Sequence, residues 1–496
     1  METLDAFSAV AVFHINMGCV RSKAVETRTA KVSIEPLRSS YFEQFLPKSF
    51  DGDISKWYTF DTTLGYGQYG TVRLARSVYH PEEAFAVKTI CYKRLGTKLD
   101  CIRREIAILF SLDHPNIIRL YEVYEEPKYF HLVTEYCSGG ELFDRLVSKG
   151  HYQEAEAATL FRKILGAVAY LHSRGVCHRD LKPENFMFES DELKLIDFGL
   201  AAKMETPDTV AEMHSQVGTA FYVAPEVLKG PYTFKCDIWS VGIMLYLMLT
   251  GTAPIPGKHS EELLHALSTF KLDTNVPALS KASPQVRDLL RSLLSRDPED
   301  RPTALEALSH PWFDSHSVQE HRLDPAVLCS LKRFRATSRL KAAALGMIAR
   351  RLGVRRTEDA SSTFAAMDTS SNGTIDVEEL EAALSNAGFA LSQVEIQAIM
   401  SNLDLSGTGQ IKYSDFLAAT LACKSVLSEA TLRKTFSLFD TENSGYITRT
   451  SLQEAMLRTG RVLANDEAAG IIAEADVLNE GKISYSAFER ILQEAA

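Results

Sequence analysis

Apolar and polar positions alternate with period two over Tyr58–Leu64, Thr71–Ala75 and Ala84–Ile90, which predicts three strands. From there to residue 313 the spacing turns mostly helical, so a small sheet-rich unit is followed by a larger helical one. The apolar run Ile243–Leu249 is far shorter than the roughly 20 residues needed to span a bilayer and predicts a buried core helix. Residues 1–57 carry little periodicity and read as a largely flexible extension. In residues 358–496 the pattern repeats. Asp368, Asp404, Asp440 and Asp476 are each 36 residues apart, and so are Gly373, Gly409, Gly445, Gly481 and Ile375, Ile411, Ile447, Ile483. A triple register held over four copies is one supersecondary unit repeated.

The intervening residues 314–357 place Leu328, Leu331 and Phe334, then Leu345, Ile348 and Leu352, at three- and four-residue steps. Between Asp324 and Glu358 lie nine basic residues and no acidic one: Lys332, Arg333, Arg335, Arg339, Lys341, Arg350, Arg351, Arg355 and Arg356. This predicts a basic amphipathic helix, the type of segment that an apolar groove embraces.

At 496 residues, the chain is too long for one hydrophobic core, and 45% hydrophobic with 24% charged residues is a globular composition. A net charge of −10 argues against general nucleic-acid binding. Eight scattered cysteines without a C-x-x-C pair read as free thiols in a reducing compartment, hence a cytoplasmic protein. The first sixteen residues lack a basic segment and carry Glu2 and Asp5, against a secretory signal. Met17-Gly18-Cys19-Val20-Arg21-Ser22 fits an acylation pattern, but Gly18 is internal as numbered. Only translation from Met17 lets acylated Gly18 and Cys19, with Arg21, Lys23, Arg28 and Lys31, attach the protein peripherally to a membrane.

Gly65-Tyr66-Gly67-Gln68-Tyr69-Gly70-Thr71-Val72 lies between two predicted strands, where glycines let backbone N–H groups approach phosphate oxygens. Alone it reads as a hairpin turn. It is followed by Ala86-Val87-Lys88, by Glu105 in a helical stretch Cys101–Phe110, by His178-Arg179-Asp180-Leu181-Lys182-Pro183-Glu184-Asn185, by Asp197-Phe198-Gly199 and by Ala224-Pro225-Glu226. Phosphoryl transfer needs a carboxylate to orient the hydroxyl, ligands for Mg²⁺ and cations over the phosphates. Asp180 suits the first role, Asn185 and Asp197 the second, Lys88 and Lys182 the third.

These segments, in this order, resemble the eukaryotic protein kinase family. The resemblance implies an ATP site formed by Leu64, Gly65, Gly67, Gly70, Val72, Lys88, Thr134, Glu135 and Cys137, with Glu105 pairing with Lys88 to hold it in place. It also implies that Glu226 pairs with Arg301 and that Asp237 braces the catalytic loop. Lys182, with Gly218-Thr219 before the Ala-Pro-Glu triplet, resembles the serine/threonine branch. Glu141 and Glu184 match acidic positions that receive an arginine upstream of the target residue in related kinases. Two regulatory phosphorylation sites are expected: Ser215 in the activation loop, and Ser338 in Arg335-Ala336-Thr337-Ser338, where phosphate is expected to weaken docking of the connector.

An EF-hand takes oxygen ligands at loop positions 1, 3, 5, 9 and 12, a backbone carbonyl at 7 and Gly at 6. Residues 368–379 supply Asp368, Ser370, Asn372, Thr374, Asp376 and Glu379, a working calcium site. Residues 404–415 offer Asp404, Ser406, Thr408, Gln410 and Asp415, but Lys412 at position 9 and the shorter Asp415 predict weak binding. In 440–451 Ser451 replaces the bidentate glutamate, and 476–487 has Leu478 and Ala487 where ligands belong. A kinase domain (58–313), a basic junction (314–357) and four EF-hands (358–496) resemble the calcium-dependent protein kinases of plants and protists. The expected fold class is α+β, a bilobal kinase followed by an all-α, calmodulin-like domain. The resemblance implies an ATP-, Mg²⁺- and Ca²⁺-using enzyme that phosphorylates proteins downstream of basic residues. The EF-hand domain then docks on residues 325–352, which block the cleft at rest. A calcium-independent kinase with a scaffold of degenerate hands, and a non-catalytic calcium-binding scaffold, remain the alternatives.

Overall fold

The computed structural model describes residues 50–51, 53–66, 70–78, 81–95, 99–203, 221–255, 262, 266–267, 269–316, 331, 338–349, 358–370, 372–389, 391–404, 408–421, 429–442, 444–458, 463–476 and 480–493. The predicted alternation becomes a six-stranded sheet of order β1-β5-β6-β4-β3-β2. Its strands are β1 (Phe50–Asp51), β2 (Tyr58–Tyr66), β3 (Gly70–Ser77), β4 (Ala84–Cys91), β5 (Leu120–Glu126) and β6 (Tyr129–Glu135). The extension expected to be largely flexible up to residue 57 contributes β1, which pairs parallel to β5 through Phe50 and Tyr124, and the buried Ile54. α1 (Leu99–Ser111) lies between β4 and β5 in the chain and carries Glu105.

The helical lobe is built from α2 (Leu142–Lys149), α3 (Glu154–Ser173), α4 (Lys235–Thr250) and α5 (Pro284–Leu293) around one continuous apolar core. The run Ile243–Leu249 lies in α4, which is apolar on every side and buried from Cys236 to Met248. That all-round burial is what a central core helix requires. No helix among the described residues is long and apolar enough to cross a membrane. Arg301 holds Glu226 with two bonds of 2.6 and 2.9 Å, and Asp237 accepts the N–H groups of His178 and Arg179 at 2.9 and 2.8 Å.

The connector forms α6 (Arg339–Ala349), begun by Ser338, whose carbonyl accepts the Ala342 N–H at 2.9 Å. Leu328, Phe334 and Leu352 lie outside the described residues. The predicted amphipathic helix is instead buried from Leu340 to Ala349, Lys341 included. Its small residues Ala342, Ala343, Ala344 and Gly346 let two hand pairs approach from opposite sides. Leu345 and Ile348 join the core of the first pair, and Leu340 and Met347 that of the second.

Each hand keeps its helix–loop–helix form. The first pair comprises α7 (Glu358–Met367), α8 (Val377–Asn386), α9 (Gln393–Leu403) and α10 (Tyr413–Leu421). The second comprises α11 (Glu429–Phe439), α12 (Arg449–Arg458), α13 (Asn465–Ala475) and α14 (Tyr485–Gln493). The repeating isoleucines pair across two short antiparallel ladders, Ile375 with Ile411 and Ile447 with Ile483. The repeating glycines all take positive φ, between 73 and 80°.

Candidate active site and calcium sites

In the kinase cleft the register of β3 and β4 sets Val72 opposite Lys88. Gly70 is required there because a Cβ would overlap the Thr89 carbonyl. Gly65 and the exposed Leu64 stand at the end of β2, and Gly67 lies outside the described residues. Lys88 Nζ sits 2.6 Å from Glu105 Oε1 and 3.9 Å from Asp197 Oδ1, so α1 is turned in and the Lys88 ammonium is held in place. Phe198 is buried edge-on against His178, which seats Asp197 at the mouth of the cleft. Desolvation works to raise the Asp197 carboxyl, but Lys88, the Gly199 N–H, His178 and Lys182 outweigh it and hold it below the usual carboxylate range.

The catalytic loop is fixed by its backbone. Arg179 takes φ +68°, an unfavourable conformation for a side-chain-bearing residue, and is held there by Asp237 and by its Nε–H bond to the Leu200 carbonyl at 2.7 Å. Asp180 Oδ2 lies 2.9 Å from Lys182 Nζ, and Asn185 Nδ2 donates to the Asp180 carbonyl at 2.7 Å. With Asp197 this assembles one half-buried carboxylate, one lysine and, in Asn185 and Asp197, two hard oxygen ligands suited to Mg²⁺. Thr134 Oγ1 donates to the Ala86 carbonyl at 3.1 Å. Glu135 Oε1 is 3.1 Å from the buried Lys194 Nζ, and burial pushes the adjacent Cys137 thiol far up, leaving it a neutral packing group. Glu141 opens α2, where burial first and then Asp144 and Glu184 hold its carboxyl above the usual range. Carboxylates crowded in this way are relieved by an incoming cation.

In the first hand Asp368 Oδ1 accepts the Asn372 N–H at 3.0 Å and Oδ2 the Gly373 N–H at 2.8 Å. Glu379 crosses the loop: its Oε1 accepts the Ser370 N–H at 2.8 Å and its Oε2 the Asp376 N–H at 3.1 Å. Asn372 Oδ1 binds the Thr374 N–H at 2.8 Å. Burial, reinforced by Glu379 against those N–H donors, pushes the Asp368 carboxyl up to about 7. Anionic oxygens gathered at such cost are what a divalent cation offsets.

The second hand wraps Asp404 in the N–H groups of Thr408 and Gly409 at 3.1 and 2.6 Å. Asp415 is buried at the start of α10, and Ser406 lies outside the described residues. In the third hand Ser451 turns inward to Thr448, accepting its N–H at 2.9 Å, and does not reach across the loop. In the fourth, Ala487 offers only a backbone N–H to Ser484, and Leu478 lies outside the described residues.

Sequence patterns did not point to a second constellation, where the first hand pair meets the kinase. Ser414 N–H donates to Asp113 Oδ2 at 3.1 Å, and Arg119 Nη1–H donates to the Ala349 carbonyl at 2.9 Å. A Cβ on Gly373 would overlap His114 and lie 2.9 Å from Tyr170 Cδ2. Gly445 and Gly481 at the same loop position have nothing within 4 Å. Both Gly373→Ala and Gly445→Ala carry left-handed strain of about 1–2 kcal/mol. The Gly373 variant alone also forces the sensor off the kinase. Thermal melting of the full chain is therefore expected to drop further for Gly373→Ala, and equal drops would refute the contact.

Comparison with known proteins agrees with this geometry. Residues 58–313 match the protein kinase domain family, and residues 357–421 and 429–493 each match the EF-hand domain pair. The chain is 40% identical over 352 residues to calcium-dependent protein kinase 29 of Arabidopsis thaliana, covering 70% of this chain and 65% of that protein. It is 39% identical over 356 residues to calcium-dependent protein kinase 2 of Oryza sativa subsp. japonica, covering 70% of this chain and 68% of the relative. Calcium-dependent protein kinase 34 of Arabidopsis thaliana is likewise 39% identical over 356 residues, 67% of its length. The matched stretch thus spans about two thirds of these relatives. The chain belongs to the calcium-dependent protein kinase family, an ATP- and magnesium-using serine/threonine protein kinase joined to calcium-binding EF-hands.

Proposed function

We propose that calcium switches this kinase by changing the grip of the EF-hand domain on residues 325–352, which restrain the cleft at rest. The observation that carries the reading is α6, enclosed by both hand pairs while the Lys88–Glu105 pair is closed. A helix buried on all sides by the sensor is removed from the substrate groove.

In the released state Asp180 orients the incoming serine or threonine hydroxyl and takes its proton. Lys88 and Lys182 meet the phosphates. Asn185 and Asp197 are placed to hold magnesium, which supplies positive charge to the phosphate oxygens. Calcium binds the first hand through Asp368, Ser370, Asn372, Thr374, Asp376 and Glu379. It binds weakly at Asp404, Ser406, Thr408, Gln410 and Asp415. Turnover of a basic peptide is expected to fall when a chelator removes calcium, and unchanged turnover would favour the calcium-independent scaffold.

Substrate choice rests on the crowded Glu141 and Glu184. A charge-assisted bond to arginine contributes about 1.5–3 kcal/mol. Glu141→Ala is therefore expected to raise the KM of an arginine-bearing peptide by on the order of tenfold, and that of its alanine-substituted counterpart hardly at all. Equal effects on both peptides would remove Glu141 from recognition.

Phosphorylation of Ser338 belongs to the same proposal. Ser338 Oγ accepts the Lys341 N–H at 3.3 Å at the start of α6. Phosphate there favours the helix and its enclosed state. Ser215 and the acylation candidates Gly18 and Cys19 lie outside the described residues. A cytoplasmic enzyme, membrane-attached only if made from Met17, completes the proposal.

A further inference from the structure

We infer that Arg119 is a positioning residue that ties the docked sensor to the adenine side of the nucleotide pocket, so that calcium and nucleotide strengthen each other's binding. The inference rests on the reading that calcium governs sensor docking.

Arg119 directly precedes β5 and is only 8% exposed. Its side chain belongs to the sensor. Nη1–H donates to the carbonyl of Ala349, the last residue of α6, and the guanidinium carbon lies 5.1 Å from the centre of the Tyr413 ring. Nη2 is 3.7 Å from Asp113 Oδ1, and the other oxygen of Asp113 takes the N–H of Ser414. The charge is thus enclosed between a carboxylate of the kinase, a ring of the second hand and one carbonyl of the connector. The carbonyls of a helix's last turn have no partner within the helix, so Ala349 is free to accept.

The backbone of Arg119 belongs to the nucleotide pocket. Its carbonyl accepts the Glu135 N–H at 3.0 Å, and its own N–H points to Glu135 Oε2 at 3.4 Å. Glu135 ends β6 where the two lobes join, and its other oxygen holds Lys194 on the strand Glu192–Leu195 that leads to Asp197. One residue therefore reads the connector with its side chain and fixes the hinge with its main chain. When the sensor leaves, the guanidinium loses its carbonyl acceptor and the Tyr413 ring, keeps Asp113 at 3.7 Å, and is opened to water. The backbone it anchored then loses one fixed end. A coupling of this kind acts equally in both directions.

The test uses the full chain and adenosine, which occupies the adenine pocket without phosphates that would chelate calcium. Adenosine affinity is measured with calcium and with chelator, and calcium affinity with and without saturating adenosine. Calcium is expected to tighten adenosine at least about fivefold, the lower end of ordinary site-to-site coupling, and adenosine to tighten calcium by the same factor. Arg119→Gln is expected to bring both factors close to one. Arg119→Lys, which keeps a charge and a donor, should retain part of the coupling, and Tyr413→Leu should lose part of it. The inference is overturned if the wild type shows no coupling, or if folded Arg119→Gln and Tyr413→Leu both keep the wild-type factor. A wild type with calcium-stimulated peptide phosphorylation but no coupling leaves the calcium switch standing. A wild type whose phosphorylation ignores calcium overturns both.

Discussion

Asp180→Asn and Asp197→Asn are each expected to lower peptide phosphorylation by about a hundred- to ten-thousand-fold, the range that a positioned proton acceptor or a charged ligand contributes. Both substitutions conserve volume and lie at the cleft surface, so the core around α3 and α4 is undisturbed. Asp180 gives up its ion pair with Lys182, 2.9 Å away, but Asn185 still donates to the main-chain carbonyl of residue 180. Asp197 gives up its attraction to Lys88, which keeps its shorter contact to Glu105 at 2.6 Å. Circular dichroism and thermal melting should therefore match the wild type. Activity within a few-fold of the wild type in either folded variant would refute the site assignment.

Glu379→Gln is expected to abolish calcium stimulation while leaving chelator-level turnover in place. Glu379 is the only glutamate at the last position of any of the four loops, long enough to chelate with both oxygens. A neutral amide there removes one charge and one ligand from the first hand, which weakens calcium by roughly tenfold or more. The effect reaches the kinase because the same loop presses Gly373 against His114 and Tyr170. Asp440→Ala and Asp476→Ala serve as the contrast and are expected to leave stimulation nearly unchanged. In those hands Ser451 and Ala487 stay on their own side of the loop, so an ion there has no lever on the exiting helix. Calorimetry of the wild type should find one or two calcium ions per chain. Three or more, or full stimulation of Glu379→Gln, would overturn this division.

Elements set by near neighbours in the chain were legible in its pattern, and contacts between distant segments were not. The strands over Tyr58–Leu64 and Ala84–Ile90 and the helix over Cys101–Phe110 appear with ends moved by at most two residues, because alternation and helical spacing act between near neighbours. The connector was legible as a helix and illegible in its surroundings. Its apolar steps predicted one buried stripe, whereas Ala342, Ala343, Ala344 and Gly346 admit a second lobe. Small residues carry little hydrophobic signal, yet they decide how closely two backbones approach.

The chain's own spacing determined the chemistry. Asp180, Lys182 and Asn185 lie within one short loop, and each calcium loop draws its ligands from twelve consecutive residues, so local geometry leaves little freedom in how they meet. The roles of Glu379, Ser451 and Ala487 follow from side-chain length and charge alone. Tertiary structure decided what the sensor touches. Asp113 and Ser414 are separated by 301 residues, and Arg119 and Ala349 by 230. Neither pair has a spacing, a repeat or a charge pattern to announce it. An aspartate or an arginine at such a position is an ordinary surface residue until two domains close over it. The free energy that places it there comes from the fit of whole surfaces, which no local pattern contains.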